Sequence, residues 1–217
     1  MAKSSSERVT PAFATKVIKD DFWDFGNQVL YELCSRHPRH TSDDEITAKL
    51  WLIGRAYAAA IERRRGPGKW SGDDFYRHEV ARRVRRSGID TWFESICGLP
   101  RPDPALVLPV HAKLTKLFFS ISNLDKRSLA SKYAHFHAPR AVYIFDTRAD
   151  RAIRLVTERP RWRDGAKTRC DGPYAQFFLR CEAFRAQLED TLSRPVLPRD
   201  MDKVLLAVAS RAGRRGR

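Results

Sequence analysis

Three side chains able to move protons or attack carbon fall along one face of a single helical segment. Ser128, Lys132 and His135 stand at i, i+4 and i+7 in the stretch from Asp125 to His137, a spacing that stacks them on a helix. The chain then runs through Val142, Ile144 and Phe145 to a lone acid, Asp146, where Thr147-Arg148-Ala149-Asp150-Arg151-Ala152-Ile153 continues as a second helix. A carboxylate delivered to a helix start either caps that helix or stabilises a cation developing beside it. The free backbone amides there keep it ionised for both uses. Lys132 has two readings: a nucleophile that forms a Schiff base with a sugar, provided its pKa is depressed, or a supporting, phosphate-binding cation. His135 and His137 flank Phe136 without further ligands at metal spacing, so they read as hydrogen-bonding groups and no metal is expected.

The elements that must hold these residues are helical. Residues 1–18 are polar and without period and read as a loose arm. From Asp20, Phe22, Phe25, Val29, Leu30 and Leu33 recur at helical spacing as a core face, ended by Pro38. Ser42 with Glu45 makes a capping box. The helix it opens carries Ile46, Leu50, Ile53, Tyr57 and Ile61 inward and runs out in Glu62-Arg63-Arg64-Arg65 before Gly66-Pro67-Gly68. Ser71 caps the next helix, with Phe75, Val80 and Val84 inward and Arg77, Arg82, Arg83, Arg85 and Arg86 outward. A short helical piece spans Thr91 to Ile96, and an apolar helix spans residues 105–121. Beyond Ile153 come a basic loop from Glu158 to Pro173 and helices over Tyr174–Leu192 and Asp200–Arg211. Strand-period alternation is absent. The expectation is an all-α fold, with one domain over 19–210 and a basic tail over 211–217.

Charge narrows the partner. Lys and Arg number 41 against 26 acids, a formal +15, and the usual counterpart of such an excess is nucleic acid. Cations in a last helical turn also suit the helix dipole, so the Arg63–Arg65 run has a structural use as well. No apolar run approaches the roughly 20 residues of a membrane span, and no apolar signal segment follows the N-terminus. A cytoplasmic monomer without membrane contact is expected. Its cysteines (Cys34, Cys97, Cys170 and Cys181) lack CxxC spacing and read as reduced thiols.

The layout Arg127-Ser128-Leu129-Ala130, followed by Ile144-Phe145-Asp146 with Asp146 standing 18 residues after Ser128, resembles the helix-hairpin-helix DNA glycosylases, the 8-oxoguanine and adenine glycosylases among them. There a hairpin leads into a helix that carries a nucleophilic Lys or, in the monofunctional adenine branch, a Ser, and a catalytic Asp opens a later helix. The resemblance implies a helix-hairpin-helix fold and a metal-free, cofactor-free DNA glycosylase. Asp146 becomes the catalytic acid, Ser128 holds the lysine-or-serine position, and Lys132, one turn later, supports rather than attacks. DNA, as a duplex with a flipped base, becomes the partner. Lys126, Arg127, Arg148 and Lys69 are then candidates for DNA contact, and Trp70, Tyr133, His135 and His137 for the base pocket. Trp51 and Tyr57 read as core. The family's hairpin is glycine-rich, whereas Ser122-Asn123-Leu124-Asp125-Lys126 holds no glycine. Either Lys126 and Arg127 replace the amide contacts to phosphate, or this hairpin does not bind DNA in that way. Two other readings stay open: a DNA-binding protein on the same scaffold without chemistry, and a bifunctional glycosylase/lyase using Lys132.

Overall fold

A computed structural model describes residues 9–159 and 170–215. Among them every regular element is helical, as expected for an all-α chain. The order is α1 (Pro11–Ile18), α2 (Asp24–Arg36), α3 (Asp43–Ala56), α4 (Gly72–Phe75), a π-helical turn (Tyr76–Val80), α5 (Ala81–Arg85), α6 (Ile89–Glu94), α7 (Pro104–Ser122), α8 (Arg127–His137), α9 (Thr147–Val156), α10 (Gly172–Leu192) and α11 (Pro198–Arg215).

The centre of the molecule is α8, packed by α2, α3 and α7, while α9 sits against α10 and α11. Leu129, Ala130, Tyr133, Ala134 and Phe136 bury its apolar side, and α7 adds Val107, Leu114 and Phe118. By length and composition alone α7 could cross a membrane, yet Val107, Leu108, Val110, Leu114 and Phe118 are core residues of this fold.

Four expectations are corrected. The arm over 1–18 is loose in sequence only: from Pro11 it is helix α1, capped by Thr10, whose Oγ1 accepts the Phe13 amide, and anchored by buried Ala14. Residues 1–8 lie outside the described residues. The tail expected from residue 211 is helical to Arg215 as the end of α11. The face Phe22-Phe25-Val29 is not core; these side chains are 79%, 83% and 50% exposed, and α2 buries Asn27, Leu30 and Cys34 instead. Trp51, also read as core, is exposed beneath the Arg55 guanidinium.

The helix opened by Ser42 also stops early, and this builds the site. It ends at Ala56 instead of running to Arg65, with Ala58 in the left-handed region at φ 50°. The chain folds back so closely that a Cβ on Gly54 would meet the Ala60 Cα at 2.9 Å. Glycine at 54 lets Ala59 N reach the Gly54 carbonyl at 2.7 Å. Ile61 still reaches the core from the turn.

Candidate active site

A helix that ends without continuing leaves carbonyls in need of donors. Here two lysines supply them from across the fold. Lys132 Nζ donates to Tyr57 O at 3.0 Å, and Lys126 Nζ donates to Ala60 O and Arg63 O at 3.2 and 2.7 Å. The turn 57–64 is thereby fastened to α8 and to the hairpin before it. In that hairpin Asn123 takes the left-handed conformation (φ 56°) that glycine commonly supplies, and its amide closes α7 on Phe119 O. Asparagine tolerates this region, so a glycine-free sequence still makes the tight turn. Ser122 Oγ accepts the Leu124 amide and tightens it further.

The opposite wall is the extended approach to α9. Ser131, fully buried on α8, accepts the Phe145 amide at 2.9 Å and so fixes the residue next to Asp146. Asp146 then caps α9: its Oδ1 accepts the Ala149 amide at 2.9 Å. Its Oδ2 lies 3.7 Å from Lys132 Nζ, which also donates to Ser128 Oγ at 3.0 Å. Lysine, acid and hydroxyl therefore meet at the floor of an open cleft of about 610 Å³, between the 57–64 turn, the hairpin and the start of α9. Burial holds the Lys132 ammonium below the usual lysine range, with Asp146 pulling it back up. Lys126 is lowered by burial as well. The rim is cationic: Arg63, Arg64 and Arg148 all line it and are exposed.

Comparisons with protein-family models, curated proteins and solved structures return no match. Function must be read from this cleft.

Of the residues singled out in the sequence, Asp146, Ser128, Lys132, Lys126 and Arg148 line the cleft together. The base-pocket candidates do not. Tyr133 is fully buried on another face of α8, His135 is fully buried one turn beyond Lys132, and Trp70 packs its ring on His78 with centroids 4.4 Å apart. His137 stacks on Phe93, centroids 4.5 Å apart and 14° between planes. His135 is fixed as a neutral tautomer, because Nδ1 donates to Val142 O and leaves Nε2 to accept from Tyr31 OH. Arg127 is committed elsewhere: its Nε donates at 2.6 Å to Asp171, the acid that caps α10, and Nη2 pairs with Asp125. Lys69 is exposed above the Trp70 ring, away from the cleft. Among the described residues no group of three His, Cys, Asp or Glu side chains is arranged to hold a metal.

Four contributors were not singled out for the site. The Tyr57 carbonyl and the Arg63-Arg64 pair belong to it because α3 stops early, which the unbroken apolar stripe to Ile61 concealed. Ser131 carried a readable signal, a small polar residue one turn from Ser128 on a helix whose neighbours are apolar. The fourth, Asp202 on α11, is buried beside Arg199, and burial pushes its carboxyl up to about 6, with the Asp146 charge adding to the rise.

Proposed function

We propose that the chain hydrolyses the N-glycosidic bond of a damaged or modified base in DNA, with Asp146 as the essential carboxylate. The observation that carries this reading is the ion pair at the cleft floor. One oxygen of Asp146 is tied to the α9 amide, and the other lies toward a buried ammonium in a cleft open to solvent. As the base leaves, positive charge builds on the sugar, and a carboxylate fixed beside it stabilises that charge and orients the attacking water. Lys132, with Tyr57 O and Ser128 Oγ as acceptors, holds the carboxylate in place. The arginines of the rim supply phosphate contacts. A cleft of this volume is of the size that admits a flipped base.

One observation favours a second reading. Burial depresses Lys132, and its Nζ borders the same cleft. A neutral Lys132 amine would displace the base at C1′ and, after ring opening, leave an imine that borohydride reduces to a stable adduct. Incubating the protein with duplexes that carry a panel of modified bases, with and without borohydride, separates the readings. Abasic sites without an adduct support hydrolysis. An adduct abolished by Lys132→Ala supports the amine. DNA binding with neither product leaves a binding protein without chemistry.

A further inference from the structure

The turn between α1 and α2, with the first turn of α2, presents aromatics to solvent. Phe22, Trp23 and Phe25 are 79%, 71% and 83% exposed, and the first two meet edge-on with centroids 5.2 Å apart. Such a cluster is unusual on a surface and marks a place where something docks. It is also held rigidly. Asp20 Oδ1 accepts the Phe22 amide at 3.1 Å. From α11, Lys203 Nζ clamps the turn by donating to Ile18 O, Asp20 O and Asp24 Oδ2 at 3.2, 2.6 and 2.8 Å. Phe22 and Trp23 form one side of a groove whose other side is α11, with Arg199 and Arg148 along it. Arg148 borders the candidate active site as well, so groove and cleft meet at one guanidinium. The next hollow beyond the turn carries Lys16, Lys19, Arg211 and Arg214. Of the nearby acids, Asp20 is engaged by the turn, Asp24 by Lys203 and Asp202 by Arg199, while Asp21 is exposed beside Phe22. Arg148, Lys16, Lys19, Arg211 and Arg214 are therefore the cations that remain for a ligand.

We propose that this surface is a stacking platform for an unpaired stretch of nucleic acid entering or leaving the cleft, with Phe22 and Trp23 receiving base faces and the flanking cations following the phosphates. The proposal rests on the nucleic-acid reading of the cleft and adds the form of the substrate: strand locally opened beside the target nucleotide. A row of cations beside exposed rings is the pairing that single strands require, because every base offers a π-face and every linkage a charge. A protein partner would leave that row of cations without a counterpart.

The test uses the full chain and a labelled single-stranded oligonucleotide of about twelve nucleotides, a length that covers one binding site. Its affinity is compared with that of a fully paired duplex. For the Phe22→Ala/Trp23→Ala double variant the expected result is single-stranded affinity weakened about tenfold, duplex affinity changed far less, and an unaltered melting curve. Trp23→Phe should keep most of the affinity. Equal affinity of wild type and double variant, or an equal loss on single strand and duplex, would overturn the platform. So would a wild-type dimer that the double variant converts to monomer, since the rings would then cover a second copy of the chain. Abasic-site formation is scored separately on modified duplexes: a platform that binds without any base release refutes the glycosidic reading, whereas base release with intact affinity in the double variant refutes only the platform.

Discussion

Helix α8 carries two polar constellations built from similar residue types, and only one of them opens to solvent. On one face Ser128 and Lys132 meet Asp146 at the cleft floor. On the other, His40 Nδ1 donates to Asp90 at 2.6 Å while its Nε2 accepts from Tyr133 OH at 2.7 Å. An acid, a histidine and a tyrosine in line have the composition of a proton relay, yet His40 and Tyr133 are buried among Phe93, His137 and Phe118. A hydrogen-bond chain without access for a substrate serves the fold. If the proposed activity holds, exposure and not residue type separates the two faces, and substitutions on them should separate activity from stability.

The sealed face gives the largest stability effect. His40→Phe leaves the Tyr133 hydroxyl and Asp90 without their partner, and should lower unfolding free energy by about 2–4 kcal/mol in urea titrations while base release per folded molecule is unchanged. A drop in turnover with normal stability would place His40 in the chemistry.

Buried histidines should make the protein acid-sensitive. Burial lowers His40, His111 and His135 to about 4, whereas in the unfolded chain they titrate near 6.5. Between those limits the unfolded state binds more protons, so stability present above about pH 6.5 is lost as pH falls toward about 4. Asp202, raised to about 6 by burial, acts oppositely, since it favours the folded state as pH falls through that value. Burial lowers His137 as well, so four histidines against one acid give a net loss, and the urea midpoint should be lower at about pH 5 than at about pH 7. A higher midpoint at the acid end would contradict the neutral buried histidines.

The smallest effect joins the two regions. Gly54→Ala drives a methyl against the Ala60 backbone, so it should cost about 1–3 kcal/mol. It should also displace the Tyr57 and Ala60 carbonyls that hold Lys132 and Lys126, and activity should fall with stability. Full activity in this variant would mean that the 57–64 turn is not needed to shape the cleft.

The open face of α8 was legible because its signals are local. Helical spacing of Ser128 and Lys132, and an acid ahead of Thr147-Arg148-Ala149, are properties of neighbouring residues, and the structure brings those residues together. What escaped depends on distance in sequence. The break after Ala56 follows from the fit of Gly54 against Ala60, and the stripe through Ile61 looks the same whether the helix continues or folds back. The resemblance points to Tyr133, His135 and Trp70 as a pocket, but partners from α2, α6 and the π-helical turn decide their surroundings. Phe22 and Phe25 have core spacing and lie on the surface, because α2 packs through Leu30 and Cys34 on its other side.

The central claim is that the carboxylate of Asp146 acts on substrate in addition to capping α9. Asparagine caps helices about as well as aspartate, so Asp146→Asn keeps the cap and removes the charge. Abasic-site formation by the wild type and by Asp146→Asn on the most reactive modified duplex, at matched melting temperature, measures the difference directly. The account predicts a fall of about 10²- to 10⁴-fold; base release by the variant at the wild-type rate would show that Asp146 is a cap and nothing more.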